Sequence, residues 1–168
     1  MVARRAARDP REAGPAGGIG THELNEQQLE AWGRAIGEQV RTPVIFALRG
    51  ELGAGKSVFA RAVARGAGVR AAMPSPTFNL LFRYETARGP TVTHLDLYRL
   101  EHADEVWELG WRELGDGNDI VLIEWPERAE HLLPDRRWEI NITPGSTTDT
   151  RVVTARPVND PPVIPVPQ

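Results

Sequence analysis

Gly50-Glu51-Leu52-Gly53-Ala54-Gly55-Lys56-Ser57 constrains the architecture of this chain more than any other stretch. It meets the spacing G-x-x-x-x-G-K-[ST] at every position. The glycines supply backbone angles closed to other residues, so successive N–H groups can converge on phosphate oxygens. Such a loop works only between a strand that ends beneath it and a helix that starts from it. Both are legible. Val44-Ile45-Phe46-Ala47-Leu48 is a continuous apolar run, as in a strand buried on both faces by parallel pairing. Val58 to Ala67 places Phe59, Ala62, Val63 and Ala67 on one helical face, with Gly66 and Gly68 near its end.

The loop also accounts for an oddity of composition. Of 20 basic residues, 19 are arginine, and the single lysine is Lys56. A slender point charge suits a site where a planar fork does not fit. Lys56 is expected on the outer phosphates, with the Ser57 hydroxyl as a hard oxygen ligand for Mg2+.

The chain has 168 residues, enough for one domain. It has no cysteine, which excludes a disulfide framework and thiolate chemistry. No apolar run approaches the ~18 residues needed to span a bilayer, and no apolar stretch follows the N-terminal arginines, so a cytoplasmic protein is expected. Net charge is −3, but residues 1–20 carry +2. The body at 21–156 is therefore acidic and a poor match for nucleic acid by itself. Residues 1–20 are expected to be a disordered extension, and 157–168, with five prolines, an extended tail.

Within the body, Asn25 to Val40 reads as a helix capped by Asn25, with Gln28 completing a capping box. Phe78 to Glu85 and Thr91 to Tyr98 read as a hairpin, and Glu101 to Leu114 as a short amphipathic helix. Ile120 to Ile123 reads as a second buried strand. A short helix over 127–133 and strands over 138–142 and 151–155 complete the body. Such units predict a single small α/β domain, a mixed sheet with helices on its faces.

Two carboxylates fit the phosphate chemistry. Four aliphatic residues lead straight into Glu124, which would stand at a strand tip and help hold Mg2+. In His94-Leu95-Asp96-Leu97-Tyr98, strand alternation separates Leu95 and Leu97 from His94, Asp96 and Tyr98. Asp96 would reach the metal through water or orient the attacking water. Thr77, in Ser75-Pro76-Thr77, resembles a switch threonine that senses the terminal phosphate. The expected nucleotide-binding positions are Glu51, Leu52, Gly53, Ala54, Gly55, Lys56, Ser57, Val58 and Thr77. Lys56, Asp96 and Glu124 are the expected catalytic residues. Ser57, Glu124 and Asp96 are the expected metal positions. The four histidines show no metal spacing and read as structural or surface residues.

Taken together, GELGAGKS at 50–57, SPTF at 75–78, HLDLYRL at 94–100 and EWPER at 124–128 resemble the TsaE family in order and spacing. The resemblance covers about residues 22–155. It implies a P-loop NTPase fold and an ATPase, weak alone, that uses ATP and Mg2+. It also implies association with TsaD and TsaB, which modify adenosine 37 of tRNA and would hold the tRNA themselves. It places Trp125 on the active-site or partner surface and base contacts near Asn25–Gln28 and Arg151. Ser57 stands where the family more often has threonine, which keeps the hydroxyl. A small-molecule kinase would use the same loop and is the alternative. A guanine-specific switch is excluded, because its Asn/Thr-Lys-x-Asp motif needs a second lysine.

Overall fold

In the computed structural model, which describes residues 17–74 and 79–168, the phosphate loop sits at the end of a central strand of one mixed sheet. The strands are β1 (Ile19–Asn25), β2 (Val44–Arg49), β3 (Leu81–Tyr84), β4 (Thr91–Asp96), β5 (Asp119–Glu124), β6 (Arg137–Pro144) and β7 (Thr150–Val158). The two α-helices are α1 (Glu26–Gln39) and α2 (Lys56–Ala67). The sheet order is β1-β7-β6-β2-β5-β4-β3. β2 pairs in parallel with both β5 and β6, and β4 in parallel with β5. The hairpin β3–β4 and the pairs β6–β7 and β1–β7 are antiparallel.

Alternation along β2 and β5 divides the core. Val44, Phe46 and Leu48 join Ile120 and Leu122 beneath α1 and α2, with Trp32, Ile36, Phe59 and Val63. Ile45, Val121 and Ile123 face the other way, against Leu95, Leu97, Val106 and Trp111. The parallel strands thus carry apolar side chains on both faces, which is why they read as unbroken apolar runs. The chain is a single small α/β domain with a mixed sheet, as expected.

Several elements differ from the sequence expectation. The stretch 101–114 is not an α-helix. It forms two 3-10 segments, Ala103–Leu109 and Trp111–Glu113, split at Gly110, whose φ of 75° is left-handed. The expected helix at 127–133 is likewise a 3-10 segment, Pro126–Leu132, broken at Ala129. Trp111 Nε1 donates to Leu132 O (2.6 Å), tying these segments together over the second core. β1 was not expected at all. The sheet opens at Ile19 and closes at Val158, two residues outside the expected body at each end. Pro157 lies inside the ladder, opposite Trp138. The hairpin strands are shorter than expected: β4 ends at Asp96, and Phe78 lies outside the described residues.

Candidate nucleotide and metal site

The loop 50–55 joins the end of β2 to the start of α2. Gly50 enters it with φ 150°, and a Cβ there would stand 2.3 Å from Ile142 O of β6. The turn is closed by Ala54 N donating to Glu51 O (3.1 Å). Gly55, at φ 110°, precedes α2 and gives it no side-chain cap. The contrast with α1 is informative. There Asn25 Oδ1 accepts from Gln28 N (2.9 Å) and Gln28 Oε1 accepts from Asn25 N (3.0 Å), the expected capping box. The first N–H groups of α2 are left for an anion.

Lys56 is 4% exposed and folds back over its own loop. Its Nζ donates to Gly50 O (2.5 Å) and Glu51 O (2.8 Å) and lies 4.0 Å from the Trp125 ring centroid. Burial lowers the pKa of this ammonium below the usual lysine range, while the charges of Glu124, Glu127 and Asp96 pull it back up.

Glu124 ends β5 at 2% exposure. Its two oxygens are divided: Oε2 accepts from Ser57 Oγ (3.0 Å), and Oε1 pairs with His94 Nε2 (2.7 Å). Asp96 is directly opposite Glu124 in the β4–β5 register. Tyr98 N donates to Asp96 Oδ1 (3.0 Å), a local turn that ends β4. Burial is the largest influence on Asp96 and raises its carboxyl above the usual range. The charge of Glu124 pushes the same way, while the Tyr98 N–H, His94 and Lys56 oppose it.

A hydroxyl and two carboxylates at the foot of a phosphate loop are hard oxygen donors of the kind Mg2+ takes. No group of three His, Cys, Asp or Glu side chains among the described residues forms a metal site on its own. Mg2+ is commonly held by one or two carboxylates and completed by substrate phosphates and water. The donor set therefore fits Mg2+ on a nucleotide.

Two cavities meet along the loop. One of about 230 Å³ is bounded by Lys56, Ser57, Asp96, Tyr98, Glu124 and Trp125. The other, of about 330 Å³, lies between the start of α1 (Asn25, Glu26, Gln27), Gly53–Gly55 and Thr148, Asp149 and Arg151. Arg151 Nε donates to Ala54 O (3.0 Å), so β7 braces the loop on this side. The fold thus brings together every expected site residue except Thr77, which lies outside the described residues.

His94 escaped sequence reasoning, and Trp125, expected on the active-site or partner surface, takes a backbone conformation that was not foreseen. His94 is not a bystander but the buried partner of Glu124. Alternation had placed it on the Asp96 face; only the register of β4 on β5 could show its partner. Trp125 adopts left-handed φ 56°, ψ 48°. It precedes Pro126, which disfavours the right-handed helical region there. The turn throws the indole over Lys56 and against Tyr98, with centroids 4.9 Å apart. The resemblance put Trp125 at this surface; the left-handed turn that aims its ring was visible only in the structure.

Comparison with known proteins returns one family. The family model described as threonylcarbamoyl adenosine biosynthesis protein TsaE matches residues 24–153. The tRNA threonylcarbamoyladenosine biosynthesis protein TsaE of Rickettsia felis is 39% identical over 119 residues, covering 70% of this chain and 68% of that protein. The protein of the same name from Bacillus subtilis is 33% identical over 119 residues, covering 71% and 73%. The crystal structure of Bacillus subtilis YdiB superposes with a TM-score of 0.66 at 26% identity, covering 84% of this chain and 88% of that one.

Proposed function

This chain belongs to the TsaE family of threonylcarbamoyl adenosine biosynthesis proteins, and from that premise we propose that it is a magnesium-dependent ATPase supporting threonylcarbamoyl transfer to adenosine 37 of tRNA by acting on a TsaB–TsaD complex. The carrying observation is the 3.0 Å contact between Ser57 Oγ and Glu124 Oε2 at the foot of the uncapped α2. In a phosphate-loop ATPase that is where the nucleotide's metal is gripped.

In this reading the N–H groups of Glu51–Val58 receive the phosphates, and Thr77, by its resemblance to a switch threonine, senses the terminal one. Lys56 exchanges its two loop carbonyls for phosphate oxygens. Ser57 and Glu124 would hold Mg2+, with Asp96 opposite Glu124 on β4. Mg2+, when bound, neutralises charge on the phosphates and on the departing diphosphate oxygen. Asp96 orients the water that attacks the γ-phosphorus as the bond to the β–γ bridging oxygen breaks, giving ADP and phosphate. The 330 Å³ cavity between α1 and β7 takes the base. The acidic body leaves the tRNA to the partners. The reaction belongs in the cytoplasm; no helix among the described residues is long and apolar enough to cross a membrane.

The test is ATP hydrolysis by the purified chain, alone and with TsaB and TsaD. Low activity that rises with the partners is expected. Lys56→Ala abolishes it, and Glu124→Gln lowers it at least about a hundredfold. Hydrolysis indifferent to the partners, with phosphate passing to a metabolite pool, would overturn this reading in favour of a kinase.

A further inference from the structure

Residues 161–168, Pro-Pro-Val-Ile-Pro-Val-Pro-Gln, follow β7 and lie beyond the family-matched span. They are not loose. The chain reverses after β7 through Asn159 and Asp160, both at φ 54°. These two residue types tolerate the left-handed region best after glycine. The reversal is pinned by Asn159 Nδ2 donating to Asp135 O (2.9 Å) and Arg136 Nε donating to Asp160 O (2.8 Å).

From there burial recurs at every third residue. Pro161, Ile164 and Pro167 are buried, whereas Val163 and Val166 are 87% and 56% exposed. The carbonyls that receive bonds are also three apart. Trp138 Nε1 of β6 donates to Pro162 O (2.8 Å), and Trp32 Nε1 of α1 donates to Pro165 O (2.7 Å). Ile164, 4% exposed, belongs to the same core as both indoles. A period of three with no internal hydrogen bonds is that of polyproline II. An aromatic-lined groove whose donors meet its free carbonyls is how proline-rich segments are recognised.

We propose that the groove between Trp32 and Trp138 is a polyproline-II recognition site, filled in cis by residues 161–168, and able to take a proline-rich segment of the same register in trans. Left empty, the groove would open both indoles and the Ile164 pocket to water, so an apolar occupant that accepts the two N–H groups is favoured. The ligand class is set by three features: a carbonyl pair spaced i, i+3, an aliphatic side chain between them, and flanking prolines. The resident segment is tethered through a two-residue turn, so it acts as a competitor at high local concentration. Nothing in the inference depends on the nucleotide chemistry.

The experiment uses the full chain and a fluorescent peptide with the sequence of residues 159–168. In Ile164→Asp the charged side chain is expelled from its pocket and the segment vacates the groove. The peptide is expected to bind this variant one to one and at least about tenfold tighter than the wild type, whose own segment competes. Adding Trp138→Phe weakens that binding roughly fivefold, the loss of one hydrogen bond. A peptide bearing the same Ile→Asp change does not bind. Ile164→Ala, which only hollows the pocket, gives an intermediate gain and serves if the charged variant does not fold. Equal binding to wild type and variants, or no binding to any variant that melts cooperatively, overturns the proposal.

Discussion

Burial of Asp96 costs the folded chain stability. Its carboxyl titrates above the usual aspartate value chiefly because it is buried beside Glu124. The folded chain therefore holds that proton more tightly than the unfolded chain does. As pH rises from the ordinary carboxylate value through the raised one, the unfolded state ionises first and stability falls. Above the raised value the whole penalty stands. Asp96→Asn keeps an acceptor for Tyr98 N–H and removes the charge. It should raise the melting temperature at pH 7 by about 2 °C, by less near pH 4, and lower ATP hydrolysis at least about a hundredfold. A lower melting temperature at pH 7 would show that the carboxylate is stabilising instead. The residue scale also marks the limit of sequence reading. Lys56 was legible because the motif and the single lysine coincide. His94 was not, because its partner is 30 residues away and their meeting depends on strand register.

At the scale of elements, α1 and α2 touch backbone to backbone. A Cβ on Gly37 would stand 2.0 Å from Val63 O, and one on Gly66 would stand 2.1 Å from Arg34 O. Only glycine permits that approach, which seats both helices over β2 and sets α2 under the phosphate loop. Gly37→Ala should wedge the pair apart at a cost of about 1–3 kcal/mol, read as a lower urea midpoint with an unchanged slope. An unchanged midpoint would mean that the helices separate freely. Arg88, in the turn of the β3–β4 hairpin, reaches the exposed carbonyl ends of both helices: Nη1 to Gly66 O (3.0 Å) and Nη2 to Glu38 O (3.2 Å). Arg88→Ala should cost about 1–3 kcal/mol in the same measurement, and no change would mean that water replaces both bonds. The long elements were readable because their apolar periods are strong. β1 was not: of its seven residues only Leu24 is buried, so the strand exists through its ladder with β7 rather than through any pattern of its own. The 3-10 segments read as helix because Trp107 and Trp111, four residues apart, mimic one helical face; the structure buries Trp111 but leaves Trp107 42% exposed, and Gly110 interrupts the run.

At the scale of the molecule, the site draws on both ends of the fold. Asn25–Gln27 on one side and Thr148–Arg151 on the other wall the same cavity. β1 sits at the sheet edge, and its one neighbour is β7. Strands far apart in sequence thus close the structure, a topology that folds late. This has a consequence for synthesis. A ribosome makes the chain from the amino end, and domains assemble as their parts emerge. β1 must wait for β7 before it can pair, and the cavity between α1 and β7 lacks a wall until Arg151 is free. Nascent chains arrested with β7 still in the exit tunnel should pass through ATP-agarose unretained and be cut readily by protease. Chains extended by a linker that frees β7 should be retained and resist. Retention at the earlier arrest point would show that the loop and α2 suffice. Otherwise ATP binding reports that translation of this domain has run to its last strand.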